Sequence, residues 1–208
     1  MSSKTAFPED VVSFPQPGDC LSKDGVRIEV FARAQLPTRF GDFEVFIFRN
    51  NLDVKEHLAV VTNEGIGDLG NLPVRLHSEC LTGDVLGSLR CDCRDQLEIA
   101  LEMLGRERHA MLLYMRQEGR GIGLGNKIRA YALQQEGLDT VQANEHLGFD
   151  DDLRDYRVAA LMIQLFGPRS IHLATNNPSK ISGLRDFGVN ITTRIPVLTD
   201  VNPHNTDY

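Results

Sequence analysis

The sequence predicts a mixed α+β fold: a strand-rich N-terminal half built on a mixed sheet, followed by alternating helices and strands. Three observations predict it. Residues 27–78 break into short apolar or alternating runs separated by turn residues. From Asp95 the apolar spacing changes to the helical period. Beyond that point strand-length and helix-length segments take turns to the end of the chain.

Each element follows from its own residues. Residues 1–26 carry Pro8, Pro15, Pro17, Gly18 and Gly25 with little periodicity and read as an irregular arm. Arg27–Ala34, Phe43–Phe48 and His57–Thr62 read as strands, with breaks at Pro37/Thr38, Asn50/Asn51 and Gly65/Gly67/Gly70. Pro73–Ser78 is a fourth. Short connections between them favour an antiparallel or mixed sheet. Leu97, Ala100, Leu101 and Leu104 make Asp95–Leu104 an amphipathic helix, and His109–Tyr114 reads as a buried strand. Asn126–Gln135 is the next helix, with Ile128, Ala132 and Leu133 as its apolar positions. Asp152–Leu165 is expected to be the longest helix, its acidic start at Asp150–Asp152 suited to the positive end of the dipole. Gly167-Pro168 stops it. Ile171–Ala174 is a strand, Pro178–Phe187 a helix between Asn177 and Gly188, and Val189–Ile195 a last strand. No repeat or low-complexity segment interrupts residues 27–208, which read as a single domain.

Composition sets limits on function. The 208 residues hold 22 Lys+Arg against 29 Asp+Glu, a formal net charge of −7, and 41% are hydrophobic. That is ordinary globular usage. A negative chain has no general attraction for a nucleic acid polymer or an anionic membrane, so an anionic ligand must be met by locally gathered positive charge. No apolar run approaches the ~18 residues that span a bilayer. The N-terminus shows no basic region followed by an apolar stretch, and cytoplasm is the expected compartment.

Three of the four cysteines, Cys80, Cys91 and Cys93, fall close together, with Cys20 far upstream. In a reducing compartment such a cluster reads as metal or thiol chemistry. Three thiolates suit zinc and leave a fourth position open for water, as a catalytic site requires. A closed structural site, completed by Cys20 or His77, is the alternative. Three thiolates leave the zinc centre negative and acidify its water less than three imidazoles would, so a nearby proton acceptor such as Glu79 would help. The pattern around His77-x-Glu79 partly echoes zinc deaminases but lacks their downstream cysteine pair.

The segment Arg116–Lys127 carries glycine at 119, 121, 123 and 125, yet fits neither the Walker A spacing nor the dinucleotide fingerprint. Between Arg106 and Tyr131 lie six basic and two acidic residues, a local positive excess within an acidic chain. Arg116 and Arg120, on a turn after a strand, are the best placed of these to meet an anion. A third constellation, Asp150–Asp155, sets Arg154 among four carboxylates. A fourth, Thr175–Lys180, is a strand-to-helix turn with free amides and a lysine, a ready anion site or simply a well-made cap.

Together these segments resemble the GTP cyclohydrolase II family. The matching strings are Arg75–Cys80 (RLHSEC), Leu81–Gly83, Ser88–Cys93 (SLRCDC), Arg116–Gly123 (RQEGRGIG), Asn126–Leu133 (NKIRAYAL), Asp139–Thr140 with Ala143–Asn144, Leu147–Phe149, and Thr175–Pro178 with Lys180. The resemblance runs from about Arg27 to Tyr208. It implies a cytoplasmic homodimer of GTP cyclohydrolase II-like fold that opens the imidazole ring of GTP and releases formate and pyrophosphate, starting riboflavin synthesis. It implies Zn2+ on Cys80, Cys91 and Cys93, and Mg2+ on the triphosphate. Substrate contacts are implied for Arg75, Leu76, His77, Ser78, Glu79, Gln96, Glu118, Gly119, Arg120, Thr140, Thr175 and Lys180, with Tyr131 near the ring-opening site. In the family's mechanism Asp152 accepts a proton while Arg154 attacks the α-phosphorus. A guanidinium with a pKa above about 12 is a poor nucleophile, so Arg154 is instead expected to act by stabilising charge on that phosphate. Relatives usually continue past Tyr208 into a short basic tail, and some carry a fused synthase half. The different-class alternative is a nucleotide-binding protein with structural zinc and no turnover.

Overall fold

The structure, a computed structural model, describes residues 14–66, 69–150 and 152–199, and of Thr140 the backbone only. The first half of the expected arm, Gly67, Asp151 and the chain end from Asp200 lie outside the described residues. The elements run β1 (Cys20–Lys23), β2 (Val26–Thr38), β3 (Gly41–Asn50), β4 (His57–Thr62), β5 (Leu72–Ser78), α1 (Cys93–Arg106), β6 (Met111–Met115), α2 (Gly123–Gln135), α3 (Thr140–His146), α4 (Arg157–Phe166), β7 (Ile171–Ala174), α5 (Pro178–Asp186) and β8 (Ile191–Ile195).

All eight strands form one mixed sheet in the order β1-β2-β3-β4-β6-β5-β7-β8. The first four are antiparallel, and β4 also meets β6 antiparallel, with Val60 opposite Leu112. From β6 outward every pairing is parallel: β6 with β5, β5 with β7, β7 with β8. The change of direction follows from the connections. Tight turns permit only antiparallel neighbours, whereas the helical crossovers after β5, β6 and β7 return the chain in the same direction.

Period-two burial sorts side chains to the two faces of the sheet. On one face Phe43, Val60 and Leu112 pack with Ala100 and Leu104 of α1. On the other, Ala59, Val61, Met111 and Leu113 join Val158–Ile163 and Phe166 of α4 and Leu184 of α5. Helix α4 buries seven of its ten residues, which explains its nearly continuous apolar sequence.

The structure corrects two expectations and adds a helix. The C-terminal part of the arm is ordered as β1, in register with β2 from Cys20 opposite Glu29 to Lys23 opposite Val26. The helix expected from Asp152 begins only at Arg157, and the longest helix is α1, with 14 residues. Its acidic lead is drawn away from helical geometry by specific bonds. The Leu153 amide donates to the Arg120 carbonyl at 2.9 Å, the Arg154 amide donates to Asp152 Oδ1 at 3.0 Å, and Asp155 rather than Asp152 receives the Arg157 amide. The added helix is α3, and its signal is local. Asp139 and Gln142 form a reciprocal capping box three residues apart.

His57, 1% exposed on β4, shows what burial does to a titrating group. Its Nδ1 accepts the Arg116 amide at 3.0 Å, so the ring is held neutral. Burial pushes its pKa from 6.5 down to about 4, against the pull of Asp53. The unfolded chain therefore binds the extra proton first, and stability falls as pH drops through this window. The loss from this group is roughly 3 kcal/mol by pH 4 and absent above neutrality. Urea denaturation from pH 7 to 4 should show it, and His57→Gln should flatten the slope.

Candidate active site

Three parallel strands end side by side, and the chain leaves each carboxyl end into a segment singled out above. β5 runs into Ser78–Cys80, β6 into Gln117–Gly121, and β7 into Thr175–Asn177. The chain moves from β5 to β6 on one side and returns to β7 on the other, so β5 marks a topological switch point where α/β sheets open a crevice. A cleft of about 820 Å³ occupies it.

Cys80, Cys91 and Cys93 bring their sulfurs within 4.8 Å of one another, and Cys80 Sγ lies 3.5 Å from Cys91 Sγ. A short π-helical turn, Leu81–Val85, brings Cys80 round to the start of α1. At its centre Gly83 donates its amide to Cys80 Sγ at 3.4 Å, and a Cβ on it would stand 2.9 Å from Cys91 Sγ. The thiol cradle therefore requires a glycine there, a requirement not read from sequence. Hydrogen bonds from Cys91, Cys93 and the Lys127 ammonium hold the Cys80 thiol far below its ordinary range. Closely set sulfurs with one poised as a thiolate suit a thiophilic ion such as zinc. Neither candidate for closing the site is present. Cys20 is exposed on β1 at the far edge of the sheet, and His77 turns Nε2 to the Asp84 carboxylate at 3.1 Å. Gly83→Ala should cut zinc content well below one equivalent by metal analysis while leaving the far-UV circular dichroism spectrum intact.

The β5 segment divides its roles between core and cleft. Leu76 is wholly buried in the core, and what it offers the site is its carbonyl, which accepts Lys180 Nζ at 2.8 Å. Arg75 donates to the Ala174 carbonyl at 3.0 Å and to Gln96 Oε1 at 2.6 Å, and burial lowers its pKa to about 10. His77 stacks on Tyr114, whose hydroxyl donates to the same Asp84 at 2.8 Å. With Nε2–H given to Asp84, His77 Nδ1 is left as a buried acceptor with no protein partner among the described residues. Burial pushes the imidazole pKa down, keeping it neutral. Glu79 accepts Arg116 Nε at 2.8 Å, which turns Arg116 to the surface and away from the cleft wall.

The glycine segment is only partly a loop, since α2 already begins at Gly123. Gly119 and Arg120 both lie in the left-handed region, at φ 60° and 56°. A non-glycine residue there carries strain that surrounding bonds must hold, here the Leu153 amide on the Arg120 carbonyl. Arg120 thereby faces the cleft, as does Arg154. Arg154 Nε donates to Asp152 Oδ1 at 2.7 Å and Nη2 donates to Oδ2, while Nη1 reaches Ser78 Oγ at 3.5 Å. Burial raises the Asp152 pKa, but the bonds from Arg154 outweigh it and hold the carboxyl below its usual range. Thr175 is buried and accepts the Asn177 amide at 3.1 Å. Lys180 is buried too, its pKa lowered by desolvation and by Arg75 and Arg154, a state that an entering anion would reverse.

Tyr131 lines the cleft beneath the Arg90 guanidinium, 4.8 Å from its ring centroid. Lys127 Nζ is 3.0 Å from Cys80 Sγ, 3.0 Å from Thr82 Oγ1 and 2.8 Å from Glu118 Oε1. The backbone of Thr140 heads α3, beside the cleft residues Asp139 and Asn144. Arg90, Asn144 and Lys127 are cleft residues to which the sequence reading assigned no role, although each lies in or beside a matched string. The six cations on the wall (Arg75, Arg90, Arg120, Lys127, Arg154 and Lys180) supply the local positive charge that a −7 chain needs.

A three-thiol cluster able to hold a metal ion, beside a cationic cleft at the carboxyl ends of parallel strands, defines an α/β protein whose site suits a metal and an anionic ligand. The model of the GTP cyclohydrolase II family matches residues 29–196, and this chain belongs to that family. It is 53% identical over 171 residues to GTP cyclohydrolase-2 of Picrophilus torridus, covering 82% of this chain and 88% of the relative. It is 52% identical over 176 residues to the riboflavin biosynthesis protein RibBA of Synechocystis, covering 84% of this chain and 32% of the relative. With RibBA of Bacillus cytotoxicus it shares 53% over 173 residues, or 83% and 43% of the two chains. The chain thus spans a third to a half of the length of these RibBA relatives. A solved two-domain 3,4-dihydroxy-2-butanone 4-phosphate synthase from A. baumannii overlaps 83% of this chain and 40% of its own at 19% identity, with a TM-score of 0.43. No helix among the described residues is long and apolar enough to cross a membrane.

Proposed function

We propose that the chain hydrolyses GTP, opening the imidazole ring and releasing formate and pyrophosphate. The product is 2,5-diamino-6-(5-phosphoribosylamino)pyrimidin-4(3H)-one, the first intermediate of riboflavin synthesis. The observation that carries this reading is that Cys80 and Cys93 line the same cleft as Arg120, Arg154 and Lys180. One ligand can therefore present a carbon centre to the metal side and phosphates to the cations.

Cys80, Cys91 and Cys93 would hold the zinc, which when bound supplies a Lewis acid that activates water. The other residues bind and orient. Arg120 and Lys180 receive the triphosphate, with Mg2+ as a further counter-charge. Arg75, with Gln96, orients the nucleotide. His77, its tautomer fixed by Asp84, presents Nδ1 as a hydrogen-bond acceptor. Arg154, oriented by Asp152, spreads positive charge over the α-phosphate as pyrophosphate leaves. Tyr131 lies beside the metal centre, where ring opening takes place.

The exposed Val85, Leu86 and Leu89, in the segment joining the metal cysteines, are apolar surface available to a second copy in a homodimer. Free thiols suit the reducing cytoplasm. Incubating the purified chain with GTP and measuring formate and pyrophosphate tests the reading. Both products are expected. Pyrophosphate without formate or formylated product would indicate a phosphohydrolase, and no release a binding module.

A further inference from the structure

Lys127 is a buried cation to which the reaction described above gives no task. Its side chain is 11% exposed and its three ammonium protons have three acceptors: Cys80 Sγ, Thr82 Oγ1 and Glu118 Oε1. Glu118 is equally occupied. Its Oε1 also accepts the Gly119 amide at 2.9 Å, and its Oε2 accepts the Leu81 amide at 2.6 Å. A surface ion pair would leave some of these valences to water. Here the network is closed, and it joins three separate stretches of chain: the cysteine turn, the strained glycine segment and α2.

We propose that Lys127 is a positioning residue that sets the metal centre against the nucleotide segment, by donating to the Cys80 sulfur and holding Glu118 in place. The proposal rests on the reading of the cysteine cluster as a metal centre. Its physical basis is that a hydrogen bond to a metal-bound sulfur draws charge from it. In a centre made negative by three thiolates, that withdrawal leaves the metal a stronger Lewis acid. The same ammonium fixes the Glu118 carboxylate that accepts the Gly119 amide, so one side chain ties the metal centre to the glycine segment.

The test uses the cobalt-substituted protein, whose sulfur-to-metal charge-transfer band reports charge on the thiolates. Lys127→Met removes the donor, so the band should move to lower energy. Zinc affinity, from competition with a chromogenic chelator, should fall about 10- to 100-fold. Because Lys127→Met strands the Glu118 carboxylate, the double variant Lys127→Met/Glu118→Gln is made alongside it. The double variant lacks the donor without burying a lone charge, and the same spectral shift is expected. Lys127→Arg should restore part of both effects. An unmoved band with unchanged zinc affinity in a folded variant overturns the proposal and leaves Lys127 as structural. Failure of the unsubstituted chain to give any charge-transfer band with cobalt would instead overturn the metal reading itself, and this inference with it.

Discussion

Cys91→Ser is expected to abolish zinc binding and to lower formate release on the order of 10³-fold or more, the scale of a lost metal Lewis acid. Cys91 is 4% exposed and its sulfur stands 3.5 Å from that of Cys80, so the other two thiols cannot close round the gap. A serine hydroxyl is too hard and too weakly acidic to replace a thiolate on zinc. GTP should still bind, though more weakly, because Arg75, Arg120, Arg154 and Lys180 stand on segments without a cluster cysteine, whereas Arg90 and Lys127 adjoin the cluster. Metal analysis, a formate assay and equilibrium binding of GTP check the three parts. Cys20→Ser is the control, and should leave zinc and turnover unchanged because Cys20 is an exposed residue of an edge strand. Full zinc occupancy in Cys91→Ser would refute the three-thiolate site.

Arg154→Ala is expected to lower pyrophosphate release about 10³-fold, as a desolvated charge-assisted contact to a developing anion is lost. Arg154→Lys should retain a measurable fraction of the rate, because an ammonium still brings positive charge although it lacks the planar fork. The paired bonds from Nε and Nη2 to Asp152 hold the guanidinium in one orientation, and a group that is a poor nucleophile while charged suits electrostatic stabilisation better than attack on phosphorus. Quenched reactions examined by intact-mass spectrometry should carry no phosphoryl adduct on the protein. A phosphoguanidinium on Arg154 would falsify the electrostatic role and restore the nucleophilic one.

Much of the fold was legible because its signals are local. His57–Thr62 and Ile171–Ala174 are strands with the limits expected of them, since apolar runs bounded by turn residues leave little choice of register or length. Helix α5 opens at Asn177 and Pro178, where capping chemistry places it. The start of α4 departs from the local signal for a physical reason. Three acidic residues ahead of an apolar run suit a helix dipole, but Asp152 and Arg154 bond to each other and Leu153 is tied to the Arg120 carbonyl. A long-range contact with the glycine segment outcompeted a local preference.

The candidate site divides the same way. The thiol triplet could be named from spacing, because a metal's appetite for sulfur is a property of residue type. Orientation could not. Leu76 and Arg75 are neighbours in one matched string, yet one side chain lies in the core and the other lines the cleft, as strand alternation about a two-faced sheet dictates. Arg116, expected to meet an anion, is held outward by Glu79. Lys127, counted as one basic residue among six, is the closed centre of a buried network. The sequence by itself determined most element types, the thiol triplet and the family. The tertiary structure alone decided that Cys20 stands apart from the cluster, that Gly83 must lack a side chain, and which cations reach the cleft. These outcomes depend on what surrounds each group in space, and the chain's linear order does not contain that information until strands from distant parts of it lie side by side.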